Sequence, residues 1–302
     1  MHDIIIIGAG PSGLTAAIYA RRAGKSVLVI EKNTFGGQIT WAPKVENFPT
    51  IASVSGMEFA DRLVDQVMNL GADLELDEVT KIEKNGDIFT VDTIFGGTYE
   101  AKAVIVAVGA SPRRLGLENE ERLIGSGISF CAVCDSEFFK GKPVAVNGGG
   151  NTALQEAIYL SDTCEKVYVI HRREEFRADA ALVDVIKKKE NVELVLNSVV
   201  TKLIGEDKVS SVIVTDKNGM EREIKIDCLF VAIGHDPENT PFKDFINLDE
   251  SGYADSEENC LTRTEGMFVS GDCRKKNVRQ LTTAVSDGAT AALAACSYID
   301  MF

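Results

Sequence analysis

Ile4-Ile5-Ile6-Ile7-Gly8-Ala9-Gly10-Pro11-Ser12-Gly13 opens the chain with an apolar run and a glycine turn, and the same layout returns later. The second occurrence is Pro143–Asn147 followed by Gly148-Gly149-Gly150-Asn151-Thr152-Ala153. Each continues into a helical stretch and a second apolar strand, Ser26–Ile30 ending at Glu31 and Lys166–Ile170 ending at His171. From first glycine to strand end is 23 positions in both copies (8 to 31 and 148 to 171). Each unit also closes on a related strand and glycine, Val104–Gly109 and Leu229–Gly234.

This is the pattern of a βαβ dinucleotide site. The first glycine makes the tight turn, the second lets backbone approach a pyrophosphate, and the third position must be small so that helix and strand can pack. Gly13 and Ala153 both meet that demand. The helix N-terminus offers free N–H groups and partial positive charge to phosphates. A lone glycine turn of this kind occurs for packing reasons alone; two at matched spacing, each in strand–turn–helix context, do not.

The copies differ where the ribose is read. Glu31 can accept hydrogen bonds from ribose hydroxyls, which suits an adenosine with a free 2′-OH such as that of FAD. The matching position in the second copy is His171, followed by Arg172, Arg173 and, further on, Arg177. A carboxylate there would repel a 2′-phosphate, whereas guanidiniums bind it bidentately, so the second site reads as NADPH rather than NADH. A charge run is more often a solvated turn; here it begins at the ribose-reading position.

At 302 residues the chain is long enough for two domains, with 45% hydrophobic and 26% charged residues. A formal charge of −14 argues against nucleic acid as a partner. No apolar run approaches the ~20 residues that span a membrane, and the N-terminus starts a strand with no basic leader, so a cytoplasmic location is expected.

The first unit should run to about Pro112, with a helix near Met57–Leu70 and a β-meander between Val79 and Ala103. The second should run from Arg113 to Thr240, with a helix over Asp179–Lys189 and a hairpin around Lys217-Asn218-Gly219. After it come a short strand, Met267–Ser270, then Gly271-Asp272, then an alanine-rich helix from about Gln280 to Tyr298. That last segment is too short to stand alone. The expectation is therefore an α/β fold of two Rossmann-like dinucleotide-binding domains: a discontinuous FAD domain, 1–112 with 241–302, and an inserted NADPH domain, 113–240. The two crossing linkers would form a hinge.

Of seven cysteines, five (Cys164, Cys228, Cys260, Cys273 and Cys296) are scattered singly and read as buried thiols. Cys131 and Cys134 form the one close pair, in Cys131-Ala132-Val133-Cys134-Asp135. Such a pair can close a small disulfide ring. It is also half of a zinc knuckle, but there is no second such pair and only three histidines, so no metal is expected. Flavin and nicotinamide sites in the same chain favour redox chemistry over two inert thiols.

Over nearly its whole length the chain resembles the bacterial low-molecular-weight thioredoxin reductases. The resemblance rests on Gly8–Gly13 with Glu31, Gly36-Gly37-Gln38, Glu46-Asn47-Phe48-Pro49, Gly109-Ala110-Ser111-Pro112 and Cys131–Asp135. It continues through Gly148–Ala153, His171-Arg172-Arg173 with Arg177, Val231–His235, Gly271-Asp272 and Arg279-Gln280-Leu281. Its most specific feature is a cysteine pair lying between the linker and the second glycine turn. The resemblance implies that Gly36, Gly37, Gln38 and Asn47 contact FAD, with Gly271, Asp272 and Arg279-Gln280-Leu281 closing over it. It implies that Cys134 faces the flavin, Cys131 attacks the protein disulfide and Asp135 acts as general acid–base, which needs a pKa raised by burial. It further implies thioredoxin as substrate, a homodimer, and rotation of the NADPH domain during turnover.

Three positions depart from the family pattern. Asn147 puts a polar side chain where an apolar one is usual and needs a hydrogen bond. Ser136 stands where glycine is common and should restrict the turn after the cysteine pair. Thr50 replaces a glycine after Phe48-Pro49. Rival readings are a ferredoxin-dependent reductase or a dithiol oxidase, both at odds with the retained arginines, and a non-catalytic flavin redox sensor, for which no output domain is present.

Overall fold

The four isoleucines of β1 (His2–Ile7) are all buried, as befits a central parallel strand covered on both faces. Ile4 and Ile6 enter one core, under the helices, and Ile5 and Ile7 enter another on the opposite face. This computed structural model describes residues 1–301. After β1 come α1 (Pro11–Arg22) and β2 (Val27–Glu31), which lies parallel to β1 and alternates in the same way. Helix α2 (Gly56–Asn69) starts at Ser55, whose hydroxyl accepts from Glu58 N–H at 3.1 Å, and leads to β3 (Asp73–Leu76) beside β2. The meander follows as β4 (Val79–Asn85), β5 (Ile88–Thr93) and β6 (Thr98–Val106). Strand β6 is long enough to pair antiparallel with β5 over Thr98–Ala101 and parallel with β1 from Ala101 to Val106. A short strand, β7 (Ala110–Pro112), ends this part of the chain.

Contacts divide the chain into residues 1–111 with the segment from Asp236 onward, and a second unit, Pro112–His235. The second unit repeats the first. After α3 (Glu120–Leu123), β8 (Ile128–Ser129) and α4 (Ala132–Asp135) come β9 (Pro143–Asn147), α5 (Asn151–Ser161) and β10 (Lys166–His171). Helix α6 (Ala180–Ile186) is shorter than its pattern predicts, because Asp179 stands at its N-cap and the chain leaves helical geometry after Lys187. Then follow β11 (Val192–Leu196), the antiparallel trio β12 (Ser198–Ile204), β13 (Ser211–Asp216) and β14 (Glu221–Lys225), and β15 (Cys228–Val231). The parallel sheet has the order β11-β10-β9-β15-β8. Val144, Val146, Val167 and Val169 face the helices, while Ala145, Ile170 and Leu229 face the antiparallel trio. The hairpin turn is held by Asp216, whose carboxylate accepts from Asn218 and Met220 N–H, both at 2.8 Å.

The chain returns through β16 (His235–Pro237), which pairs with β7, so both crossings between units are short extended segments. It then adds β17 (Met267–Val269), parallel to the second half of β6, and α7 (Leu281–Ile299), packed along α1. That packing needs a glycine: a Cβ at Gly288 would lie 2.1 Å from Ser12 O. Each unit is thus a three-layer Rossmann-like domain of helices, parallel sheet and antiparallel meander. No helix among the described residues is long and apolar enough to cross a membrane.

Candidate functional site: two glycine turns and a cysteine pair

In the first turn the glycines answer to close contacts. A Cβ at Gly8 (φ +104°) would come within 2.4 Å of Ala107 O, and one at Gly13 within 1.9 Å of Gly8 O. Gly10 instead faces open space, and Pro11 begins α1 where no N–H is required, so the helix N-terminus is open to a ligand. Glu31 ends β2 with one carboxylate oxygen accepting from Ala9 N–H at 2.8 Å and the other from Asn33 N–H at 2.9 Å. Gly36 N–H donates to Ala9 O at 2.8 Å, which brings the Gly36-Gly37-Gln38 loop onto the turn. Gln38 donates to Ala110 O, and Asn47 to Gln280 Oε1 at 3.3 Å.

The segment before α7 packs on the same turn. Ser12 Oγ donates to Ser270 Oγ at 2.9 Å. Asp287, within α7, gathers Gly271 N–H at 3.1 Å, Arg274 at 2.8 Å and Lys276 at 3.1 Å. Arg279 reaches Asp272 O and lies 4.0 Å above the Tyr253 ring. Gln280 and Thr283 form a reciprocal capping box that starts α7 just before Leu281 takes helical geometry. Asp272 Oδ1 is buried and 3.1 Å from Lys276 Nζ, an ion pair without hydrogen-bond alignment. A buried acceptor with no aligned hydrogen-bond donor among the described residues, beside an open helix N-terminus and an open glycine, fits a dinucleotide that carries a hydroxylated chain, as FAD does.

In the second turn, Ala153 takes the small third position and its Cβ fills space next to Gly148. Asn151 at the start of α5 exchanges two hydrogen bonds with Asp179, and Arg177 N–H donates to Gly149 O at 2.8 Å. These hold the arginine-bearing loop beside Gly150 and Thr152. His171 is placed apart from that role. Its ring is buried over Gly149, where a Cβ would be 2.2 Å from it, and stacks on Phe176. Burial, reinforced by Arg172, Arg173 and Arg177, lowers its pKa against the Glu175 carbonyl contact, so it is a neutral wall of the turn. The guanidiniums of Arg172, Arg173 and Arg177 are exposed, with no ion pair among the described residues. In a chain of charge −14, three unpaired arginines at one turn fit an anionic group.

Cys131 and Cys134 are joined as a disulfide, with Cα atoms 5.3 Å apart. Cys131 is the N-cap of α4 and half-buried; Cys134 and Val133 are exposed. Asp135 closes the same helical turn, and its carboxylate accepts from Ser129 Oγ at 2.6 Å. Ser129 Oγ also accepts from Cys131 N–H at 3.1 Å, so one hydroxyl ties the carboxyl to the pair. Burial raises the Asp135 pKa, the Ser129 hydrogen bond opposing it in part. The restriction expected from Ser136 does not arise: its φ of −56° is ordinary right-handed geometry that needs no glycine. Asn147 finds no side-chain partner among the described residues and contributes its carbonyl, which accepts from Ala232 N–H. The five single cysteines are all buried, and burial raises each thiol, Cys273 to about 12.

Sequence reading missed Ser129, Asp287 and Glu156. Glu156 lies on α5 behind α4, its Oε1 accepting from Ala132 N–H at 3.4 Å and its Oε2 buried without a hydrogen-bond partner among the described residues. A signal for it existed: Glu156 is three residues after Ala153 and four before Leu160, both fully buried, so helical periodicity puts it on the apolar face.

Residues 2–288 match the pyridine nucleotide-disulphide oxidoreductase family, and the chain belongs to it. It is 43% identical to a thioredoxin reductase of Mycoplasma genitalium, covering 97% of this chain and 94% of that one, and 41% identical to that of Treponema pallidum, covering 99% and 97%. The crystal structure of thioredoxin reductase from Streptococcus pyogenes superposes with a TM-score of 0.95 at 38% identity, over 100% and 99% of the two chains. Thioredoxin reductases of this family use FAD and NADPH.

Proposed function

We propose that this chain is an NADPH-dependent thioredoxin-disulfide reductase, with the FAD site in the discontinuous unit and the NADPH site in the inserted one. The observation that carries this reading is the disulfide at the head of α4 with a half-buried carboxyl, Asp135, tied to the Cys131 backbone through Ser129. When bound, the two nucleotides supply hydride and electron transfer; the chain supplies the dithiol and its proton.

Around the first nucleotide, Gly8, Gly10, Pro11, Ser12 and Gly13 leave α1's N-terminus for the pyrophosphate and Glu31 accepts from ribose hydroxyls. Gly36, Gly37, Gln38, Asn47, Gly271, Asp272, Arg279, Gln280 and Leu281 surround the remainder. Gly148, Gly150, Asn151, Thr152 and Ala153 cradle the second pyrophosphate, His171 walls the turn, and Arg172, Arg173 and Arg177 select the 2′-phosphate. Cys134 receives the electrons and Cys131 exchanges with the thioredoxin disulfide. Asp135, kept protonated to higher pH by burial, protonates the departing thiolate and takes the proton back. The reading includes a cytoplasmic homodimer and turning of the inserted unit on its two linkers.

The test is anaerobic NADPH consumption by the FAD-loaded protein as oxidised thioredoxin is titrated, beside Cys134→Ser. Consumption should saturate with thioredoxin and fall to background in the variant. Unchanged consumption in the variant, or none in the wild type with FAD bound and the disulfide intact, overturns the reading.

A further inference from the structure

Glu156 sits directly behind the cysteine pair, on a different element. Helices α4 and α5 pack together, and the Glu156 carboxyl reaches Ala132 N–H, the first amide inside the ring closed by Cys131 and Cys134. Ala132 is fully buried, so this amide has no access to water. The second carboxyl oxygen, Oε2, is also buried and has no hydrogen-bond partner among the described residues. A carboxylate in that position would leave a charged oxygen unsolvated; a carboxylic acid would not.

We propose that Glu156 is a positioning residue that holds a redox-linked proton behind the Cys131–Cys134 pair, taking it up when the pair is reduced and releasing it when the disulfide re-forms. This rests on the disulfide-reductase reading above. Reduction breaks the S–S bond with two electrons from reduced flavin and one solvent proton, giving one thiol and one thiolate. The new negative charge raises the proton affinity of the nearby carboxylate, which takes a second proton from solvent. Re-oxidation by a substrate disulfide runs the same balance backward.

The surroundings of Glu156 agree. Burial raises its pKa to about 7, and the Ala132 N–H contact opposes this only in part. The elements packed against α5 bring few charges. Helix α4 brings Asp135 and the pair itself, α6 brings Asp184, and β10 carries Lys166, Tyr168 and His171; β9 has no titratable side chain. The proton of Glu156 answers chiefly to burial and, against it, to the Ala132 N–H on α4. With the disulfide closed, Glu156 is protonated below about pH 7 and ionised above it. A thiolate moves that boundary upward. Extra proton uptake on reduction therefore occurs in a window opening at about pH 7 and is absent below it.

The FAD-bound full chain is equilibrated with fixed mixtures of reduced and oxidised dithiothreitol at closely spaced pH values from about 5.5 to about 9. The cysteines are then trapped by alkylation and the dithiol fraction is read by mass spectrometry. Above about pH 7 the wild-type dithiol:disulfide ratio should fall up to about ten-fold more per pH unit than that of Glu156→Gln, with equal slopes below it. Asp135→Asn should keep the break. Equal slopes for wild type and Glu156→Gln throughout overturn the inference alone; a pair that no mixture reduces overturns the reductase reading with it. Should Glu156→Gln fail to fold, infrared difference spectra on reducing Asp135→Asn at about pH 7.5 replace it. A gain in protonated-carboxyl absorption supports the inference, and no gain overturns it.

Discussion

Asp135 belongs to the four-residue helix α4 and Glu156 reaches it from α5, and burial raises the pKa of both, for different uses. Asp135 is tied through Ser129 to the backbone N–H of Cys131, so Asp135→Asn should lower kcat with thioredoxin by about 10²-fold or more while leaving the KM for NADPH unchanged, read by steady-state kinetics. Glu156 also sets a stability dependence. Its carboxyl binds a proton more tightly folded (about 7) than unfolded (4.5), so the associated stability is full below about pH 4.5 and is lost as pH rises through about 7. At ~1.4 kcal/mol per pH unit the difference approaches about 3 kcal/mol. Glu156→Gln should therefore gain several degrees in Tm over wild type at about pH 8 relative to about pH 5, checked by calorimetry at both. Thr50 offers a simpler case. Its φ of +73° is left-handed, poorly suited to a β-branched residue, and Thr50→Gly should raise stability by about 1 kcal/mol in denaturant unfolding.

Among the elements, the two glycine turns show how a local pattern becomes a ligand site. Strand alternation sends Ile4 and Ile6 to one core and Ile5 and Ile7 to the other, and that register aims each turn at the end of its sheet. The second turn carries the arginine loop, clipped by Asn151 and Asp179. Losing one charge-assisted contact removes about 1.5–3 kcal/mol, so Arg173→Ala should raise the KM for NADPH about 10- to 100-fold and leave that for NADH unchanged. Helix α7 depends on a backbone approach to α1: Gly288→Ala places a Cβ 2.1 Å from Ser12 O and should cost about 1–3 kcal/mol, read by denaturant unfolding, with loss of FAD. Both turns were legible in the sequence because a glycine turn and a period-two strand are short-range patterns. The end of α6 was not, since an apolar stretch does not state where a helix stops without a cap residue to mark it.

For the whole molecule, the two crossings at β7 and β16 are where the proposed turning of the inserted unit would act. A chemical cross-link that immobilises both should abolish thioredoxin-dependent turnover while FAD and NADPH still bind, followed by flavin absorbance and equilibrium dialysis; undiminished turnover would count against the turning. Repetition of the βαβ layout, the contrast between Glu31 and the arginine run, and the spacing of Cys131 and Cys134 are properties of the chain read as a string, because each depends on neighbours within a few turns or one strand. The burial of His171 over Gly149, the gathering of Arg274 and Lys276 by Asp287, and the carboxyl of Glu156 against Ala132 are not. Glu156 and Ala132 are 24 residues apart on separate helices, and what gives that carboxyl its proton is exclusion of water by packing, which exists once the helices and sheet have assembled.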